Sequence, residues 1–157
     1  YYVEPTNSDA EKFDEKIPLS SNSSFDKFDK KIKILIAEDI IYNRNLLIKM
    51  LEHLNYNNIE TAENGQIAIE KIKESHKIKN PYQILLLDLR MPIMDGYKVI
   101  DIYNKNKWKL PNIIVVTASI IDHDKEKCKK LGVNYFLNKP IHLQQLKDVM
   151  LHVSELL

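Results

Sequence analysis

The stretch Ile84-Leu85-Leu86-Leu87-Asp88 constrains this chain more than any other. A short apolar run bounded by turn residues reads as a strand covered on both faces. Pro81 stands before it and Pro92 after it, and a central strand tolerates proline only outside its ladder. The pattern predicts a strand over residues 82–87 that delivers a carboxylate, Asp88, to its C-terminal end. In an open parallel sheet that end is where ligands bind. Asp88 is therefore the first candidate for chemistry.

From Lys31 onward the chain alternates between two periodicities. Residues 32–37 form an apolar strand that ends at Glu38-Asp39. Leu47, Leu51 and Leu54 then recur at helical spacing within residues 40–54. A weaker strand over 57–62 follows, and Asn64-Gly65 opens a helix with Ile67, Ala68, Ile69 and Ile72 inward. After the Asp88 strand, Asp95-Gly96 opens a third helix, through about Tyr103. Pro111 precedes a strand over 113–117. Asp122 is the predicted N-cap of a fourth helix, with Lys125-Glu126 in its first turn, Cys128 and Leu131 inward, and Gly132 as its C′ residue. Residues 134–137 give a short fifth strand. Leu143, Leu146, Val149, Met150 and Val153 mark a last amphipathic helix. Five strand–helix units predict an α/β, doubly wound (βα)5, flavodoxin-like three-layer sandwich with parallel strand order 2-1-3-4-5. The three glycines all fall at element boundaries.

Residues 1–30 differ. Ser20-Ser21-Asn22-Ser23-Ser24 is linker-like, apolar residues are sparse, and seven acids against four lysines leave a net charge of −3. The expectation is a solvated tail joined to one domain over 31–157, and, since the chain begins at Tyr1 rather than Met, a piece of a longer protein. The whole chain carries +1, which gives no global electrostatic case for nucleic acid or membrane. No apolar run approaches the roughly 20 residues of a membrane helix. A single cysteine excludes an internal disulfide and fits a reducing cytosol.

The predicted strand order sets the first and third strands side by side. Their ends bring Glu38, Asp39 and Asp88 into one crevice. Three converging carboxylates repel, and the repulsion is relieved by a proton or a cation. Oxygen-only ligands with an open side favour Mg²⁺. Neighbouring strand ends add the Thr117 hydroxyl and the Lys139 ammonium. Alone, Thr117 reads as a strand-end residue and Lys139 as a surface lysine; their weight lies in their company. A carboxylate nucleophile, a metal, a hydroxyl and an ammonium suit phosphoryl transfer to Asp88.

This pattern resembles the receiver domain of two-component signalling. Glu38-Asp39 resemble its acidic pair, and Asp88 with Met91-Pro92-Ile93-Met94-Asp95-Gly96 resembles its phosphoacceptor and following loop. Thr117-Ala118 resemble the switch hydroxyl and its small neighbour, and Lys139-Pro140 the lysine and its usually cis proline. The resemblance covers residues 31–157. It implies phosphorylation of Asp88 by a phosphohistidine on a histidine kinase or histidine phosphotransfer domain. It also implies Mg²⁺ held by Asp39, Asp88 and the backbone carbonyl of Arg90, with Glu38 acting through water. Phe136 takes the switch position where tyrosine is common, and Ile40 stands where a polar residue is frequent. Asn43-Arg44 and the run Leu137-Asn138-Lys139-Pro140-Ile141 resemble receivers fused to hybrid histidine kinases. A cytoplasmic domain without direct nucleic-acid or membrane contact is expected, its oligomeric state open with a monomer favoured, and with output through the face formed by residues 122–157.

Two rivals use related features. A haloacid dehalogenase-type phosphatase also places an Asp after an apolar strand, but needs a second acid two residues on, where this chain has Arg90. A flavodoxin-like cofactor binder needs a phosphate loop after the first strand, and none follows. The five histidines have no metal-ligand spacing and read as exposed, and Trp108 sits in a polar loop, residues 104–109, with no role to assign.

Overall fold

The computed structural model describes residues 31–108, 112–118 and 121–157. The proposed tail and Pro111 therefore lie outside the described residues. Five strands and five helices alternate: β1 (Ile34–Ala37), α1 (Ile41–His53), β2 (Ile59–Ala62), α2 (Gly65–Lys77), β3 (Ile84–Leu87), α3 (Gly96–Lys105), β4 (Asn112–Thr117), α4 (Asp122–Lys130), β5 (Tyr135–Asn138) and α5 (Leu143–Glu155). The sheet is parallel, in the expected order β2-β1-β3-β4-β5.

Alternation along the inner strands divides the core in two. Ile34, Ile36, Ile84, Leu86, Ile114 and Val116 face α1 and α5, where they meet Leu47, Leu51, Leu146, Met150 and Val153. Leu35, Leu85, Leu87, Ile113 and Val115 face the opposite layer, with Ala68, Ile69 and Ile72 of α2, Val99, Ile100 and Tyr103 of α3, and Cys128 of α4. Every residue of β3 is buried, so the run needs apolar side chains on both faces. Each such side chain contributes about 1.5–3 kcal/mol of burial.

Helix starts follow from side-chain caps in two cases. Asn64 accepts the Ile67 N–H at 2.9 Å, and Asp95 accepts the Lys98 N–H at 2.9 Å. Asp122 departs from expectation. Ile121 is the N-cap, in extended geometry and with no capping side chain, and Asp122 is the first helical residue. Asp122 and Asp124, not Lys125 and Glu126, occupy the first turn, where acids complement the helix dipole. Gly132 is C′ as expected, at φ 91°. β1, β2, β3 and β5 each start later than the sequence pattern predicts, and α3 runs on to Lys105. Tyr82 is buried but outside the ladder.

The readings of His76 and Trp108 also change. His76 is half-buried, not exposed. Its ring stacks on Trp108 with centroids 5.2 Å apart, and its Nε2 lies 3.1 Å from the Tyr103 hydroxyl. Trp108 closes edge-on against Tyr103. The three rings pack together at the C-terminal ends of α2 and α3.

Candidate functional site

Parallel pairing of β1 with β3 aligns Ala37 with Leu87, so Glu38 and Asp88 leave the sheet side by side. The Asp88 N–H still donates to the Ala37 carbonyl at 3.0 Å, and the Glu38 N–H to that of Ala62 at 3.0 Å. The backbone is thus fixed up to the reacting side chains. Oxygens of Glu38, Asp39 and Asp88 all lie within 4.8 Å of one another. Glu38 and Asp88 are buried and Asp39 is half-buried.

Lys139 answers this charge. Its Nζ lies 2.9 Å from both oxygens of Glu38 and 2.9 Å from Oδ2 of Asp88. Burial works to lower the ammonium's pKa, but the hydrogen bonds and charges of Glu38 and Asp88 outweigh it and the net shift is upward. Lys139 stays a cation. Glu38 is pushed up to about 7, first by burial and then by Asp88, with Lys139 and Asn43 pulling the other way. One ammonium is not enough for three acids. An all-oxygen set with this residual repulsion fits a hard divalent cation such as Mg²⁺.

The remaining sides of the pocket come from three segments. At the end of β4, the Thr117 hydroxyl is buried without a hydrogen-bond partner among the described residues. A buried, unsatisfied donor costs about 1–3 kcal/mol, so an acceptor placed there would be bound favourably. The Lys139 N–H donates to the Thr117 carbonyl at 2.9 Å, which fixes the lysine beside it, and the Lys139–Pro140 peptide is cis. The loop after β3 turns back on Asp88: the Arg90 N–H donates to Asp88 Oδ1 at 3.1 Å. Ile93 in that loop is 81% exposed at φ 69°, a strained conformation for a β-branched residue. Gly96 closes the loop. Its N–H reaches the Leu89 carbonyl at 3.0 Å, and a Cβ there would stand 2.5 Å from the Asp88 carbonyl oxygen.

The structure thus gathers Glu38, Asp39, Asp88, Thr117 and Lys139 at one end of the sheet, with the Arg90 backbone at its rim. Phe136 lies one strand away, half-buried against the core. Sequence reasoning missed Arg44. Its Nη1 donates to the Glu38 and Asp39 carbonyls at 2.9 and 3.2 Å and steadies the acidic pair. Its place one turn into the helix that follows two acids was the available signal.

Residues 34–151 match the family described as response regulator receiver domain. The chain belongs to that family. Among curated proteins, "Hybrid signal transduction histidine kinase K" of Dictyostelium discoideum is 35% identical over 127 residues, 76% of this chain and 10% of its own length. "Sensor histidine kinase RcsC" of Salmonella typhi is 30% identical over 147 residues, 94% of this chain and 15% of its own. The first curated relatives are much longer: the chain spans 10%, 6% and 10% of the first three. Among solved structures, the receiver domain of a LuxO repressor protein from Vibrio parahaemolyticus superposes with a TM-score of 0.70 at 29% identity, covering 80% of this chain and 94% of that one. The CheX–CheY–BeF3–Mg²⁺ complex from Borrelia burgdorferi gives 0.69 at 24%, covering 78% and 88%, which speaks to the fold. The receiver reading and its phosphorelay role stand. Nothing supports the dehalogenase-type alternative, and the Arg90 side chain, 68% exposed, turns from the pocket to Asp124. Among the described residues no helix is long and apolar enough to cross a membrane.

Proposed function

We propose that Asp88 is the residue phosphorylated in this receiver, taking its phosphoryl group from a phosphohistidine on a histidine kinase or histidine phosphotransfer domain. The observation that carries this is the Asp88 carboxylate, oriented by Lys139 on one oxygen and the Arg90 N–H on the other, inside an oxygen cluster of three acids. Asp39, Asp88 and the Arg90 carbonyl would hold Mg²⁺, and Glu38, both of whose oxygens already bind Lys139, would act through water. When bound, the ion neutralises negative charge gathering between the acids and the phosphoryl oxygens. Asp88 forms the new P–O bond as the P–N bond breaks, and the imidazole leaves with the electron pair. Lys139 and Thr117 then donate to phosphoryl oxygens, and such charge-assisted bonds are about twice as strong as neutral ones.

The same chemistry supplies a switch. Thr117 moves toward the phosphoryl group, Phe136 fills the space behind it, and the face built from α4, β5 and α5 changes. The relatives named as hybrid and sensor histidine kinases support a parent of that kind, and we place this domain on its cytosolic side. The test is transfer from a phosphorylated histidine phosphotransfer domain. Label should reach the wild type and not Asp88→Asn; label retained in Asp88→Asn would overturn the assignment.

A further inference from the structure

Asp124 lies outside the acid pocket, on the first turn of α4, yet it is a buried carboxylate at 6% exposure. Two groups reach it from other elements. The Tyr97 hydroxyl, on the first turn of α3, donates to its Oδ1. Its Oδ2 is buried with no hydrogen-bond partner among the described residues, and the nearest cation is the Arg90 guanidinium at 3.7 Å. Lys127 sits 4.0 Å over the Tyr97 ring and locks the tyrosine from the α4 side. A buried carboxylate oxygen without a donor is costly, so it holds on to the Arg90 cation beside it.

Arg90 is where this cluster meets the pocket. Its backbone N–H donates to Asp88 Oδ1, and its carbonyl is the ligand assigned above. Its side chain is mostly exposed and has no other ion pair among the described residues. The rest of the loop from Leu89 to Gly96 is held by the Gly96 N–H on Leu89 and by the Gly65 N–H on the Met94 carbonyl at 3.1 Å, so a tether at Arg90 acts on its first residues, beside Asp88.

We infer that Asp124, oriented by Tyr97, is a positioning residue for the phosphoacceptor site: it tethers Arg90 and so holds the loop that shapes the metal-facing side of Asp88. This rests on the site reading given above. It adds a physical tie between the pocket and α4 that does not pass through Thr117 or Phe136. A helix-capping role is the competing account, since acids at a helix start stabilise it without any partner.

The two accounts separate in a double-mutant cycle with Arg90. Mg²⁺ affinity is read by calorimetry and Arg90 amide exchange by NMR in the metal-free protein. Asp124→Asn keeps an acceptor for Tyr97 but removes the charge. It should weaken Mg²⁺ about two- to fivefold, the range of a partly exposed ion pair, and speed exchange of the Arg90 amide. Arg90→Gln should do the same, Arg90→Lys should restore most of the loss, and the Asp124→Asn/Arg90→Gln pair should be no worse than either alone. Additive losses would overturn the inference. So would an Asp124→Asn protein with a lowered melting temperature but wild-type Mg²⁺ affinity and Arg90 exchange. Tyr97→Phe, which leaves both charges in place, provides a second route to a folded variant and should show the smaller loss in the same direction. A wild type that binds no Mg²⁺ would instead sink the site reading itself.

Discussion

Gly96 offers a sharp test of how tightly the pocket is framed. In Gly96→Ala the new Cβ would lie 2.5 Å from the Asp88 carbonyl oxygen and 2.9 Å from Leu89 Cα. Both are backbone atoms, so no side chain can rotate away. Nor can the strand end yield easily, since Asp88 is bonded to Ala37 and Gly96 to Leu89. Overpacking of this kind costs about 1–3 kcal/mol. Alanine recovers less than about 1 kcal/mol through helix propensity, because the position is the first of α3. The net loss is about 1–2 kcal/mol, or roughly 5 °C in Tm for a domain of this size. The displaced atoms belong to Asp88, the proposed phosphoacceptor, and to its neighbour Leu89, so the rate of phosphorylation by a small phosphodonor should fall beyond what unfolding explains. Gly132→Ala is the control. Gly132 sits at φ 91°, where alanine is strained by about 1–2 kcal/mol, but in the turn after α4, away from the pocket. It should lose stability and keep its phosphorylation rate. Wild-type Tm and rate in Gly96→Ala, or equal loss of rate in both variants, would refute the reasoning.

Other expected outcomes concern the metal ligands, the buried thiol and residues 1–30. Asp39→Ala should weaken Mg²⁺ in calorimetry more than Glu38→Ala, because Glu38 is engaged by Lys139 through both oxygens; equal losses would contradict the ligand assignment. The Cys128 thiol, fully buried, is pushed up to about 11 chiefly by burial, so native protein at pH 8 should hold on the order of one thiolate per thousand and resist alkylation until unfolded. Since that pKa is raised on folding, its stabilising contribution is present below pH 9 and is lost as pH climbs from 9 toward 11, which a denaturant series would show as a falling midpoint. Removing residues 1–30 should shift Tm little, since few apolar groups depart; a large loss would show that the segment packs on the domain.

Most of the fold was legible because its signals are local. Continuous aliphatic runs at β1, β3 and β4 have no use except burial on both faces, and Asn64, Asp95 and Gly132 punctuate helices by their own chemistry. Asp122 misled because an acid ahead of a charged helix resembles a cap, while the extended Ile121 backbone decides the matter. Tyr82 misled because burial and ladder pairing are separate properties and sequence pattern reports only the first. The site was legible for a different reason: strand order carries Glu38, Asp88, Thr117 and Lys139 to a common edge once the topology is known. Side-chain contacts across elements were not legible. Trp108 on His76, Tyr97 on Asp124 and Arg90 on Asp124 join residues 27 to 34 positions apart with no periodic trace. Arg44 lies nearer in sequence, but its bonds go to backbone carbonyls, which no side-chain pattern announces.

The central claim is that Asp88 alone accepts the phosphoryl group, with Mg²⁺ in the adjoining acid cluster. Intact mass after incubation with a small phosphodonor tests it most directly. Wild type with Mg²⁺ should gain the mass of one phosphoryl group, and neither Asp88→Asn with Mg²⁺ nor wild type in EDTA should gain any. A phosphorylated Asp88→Asn protein, or full phosphorylation in EDTA, would contradict the account.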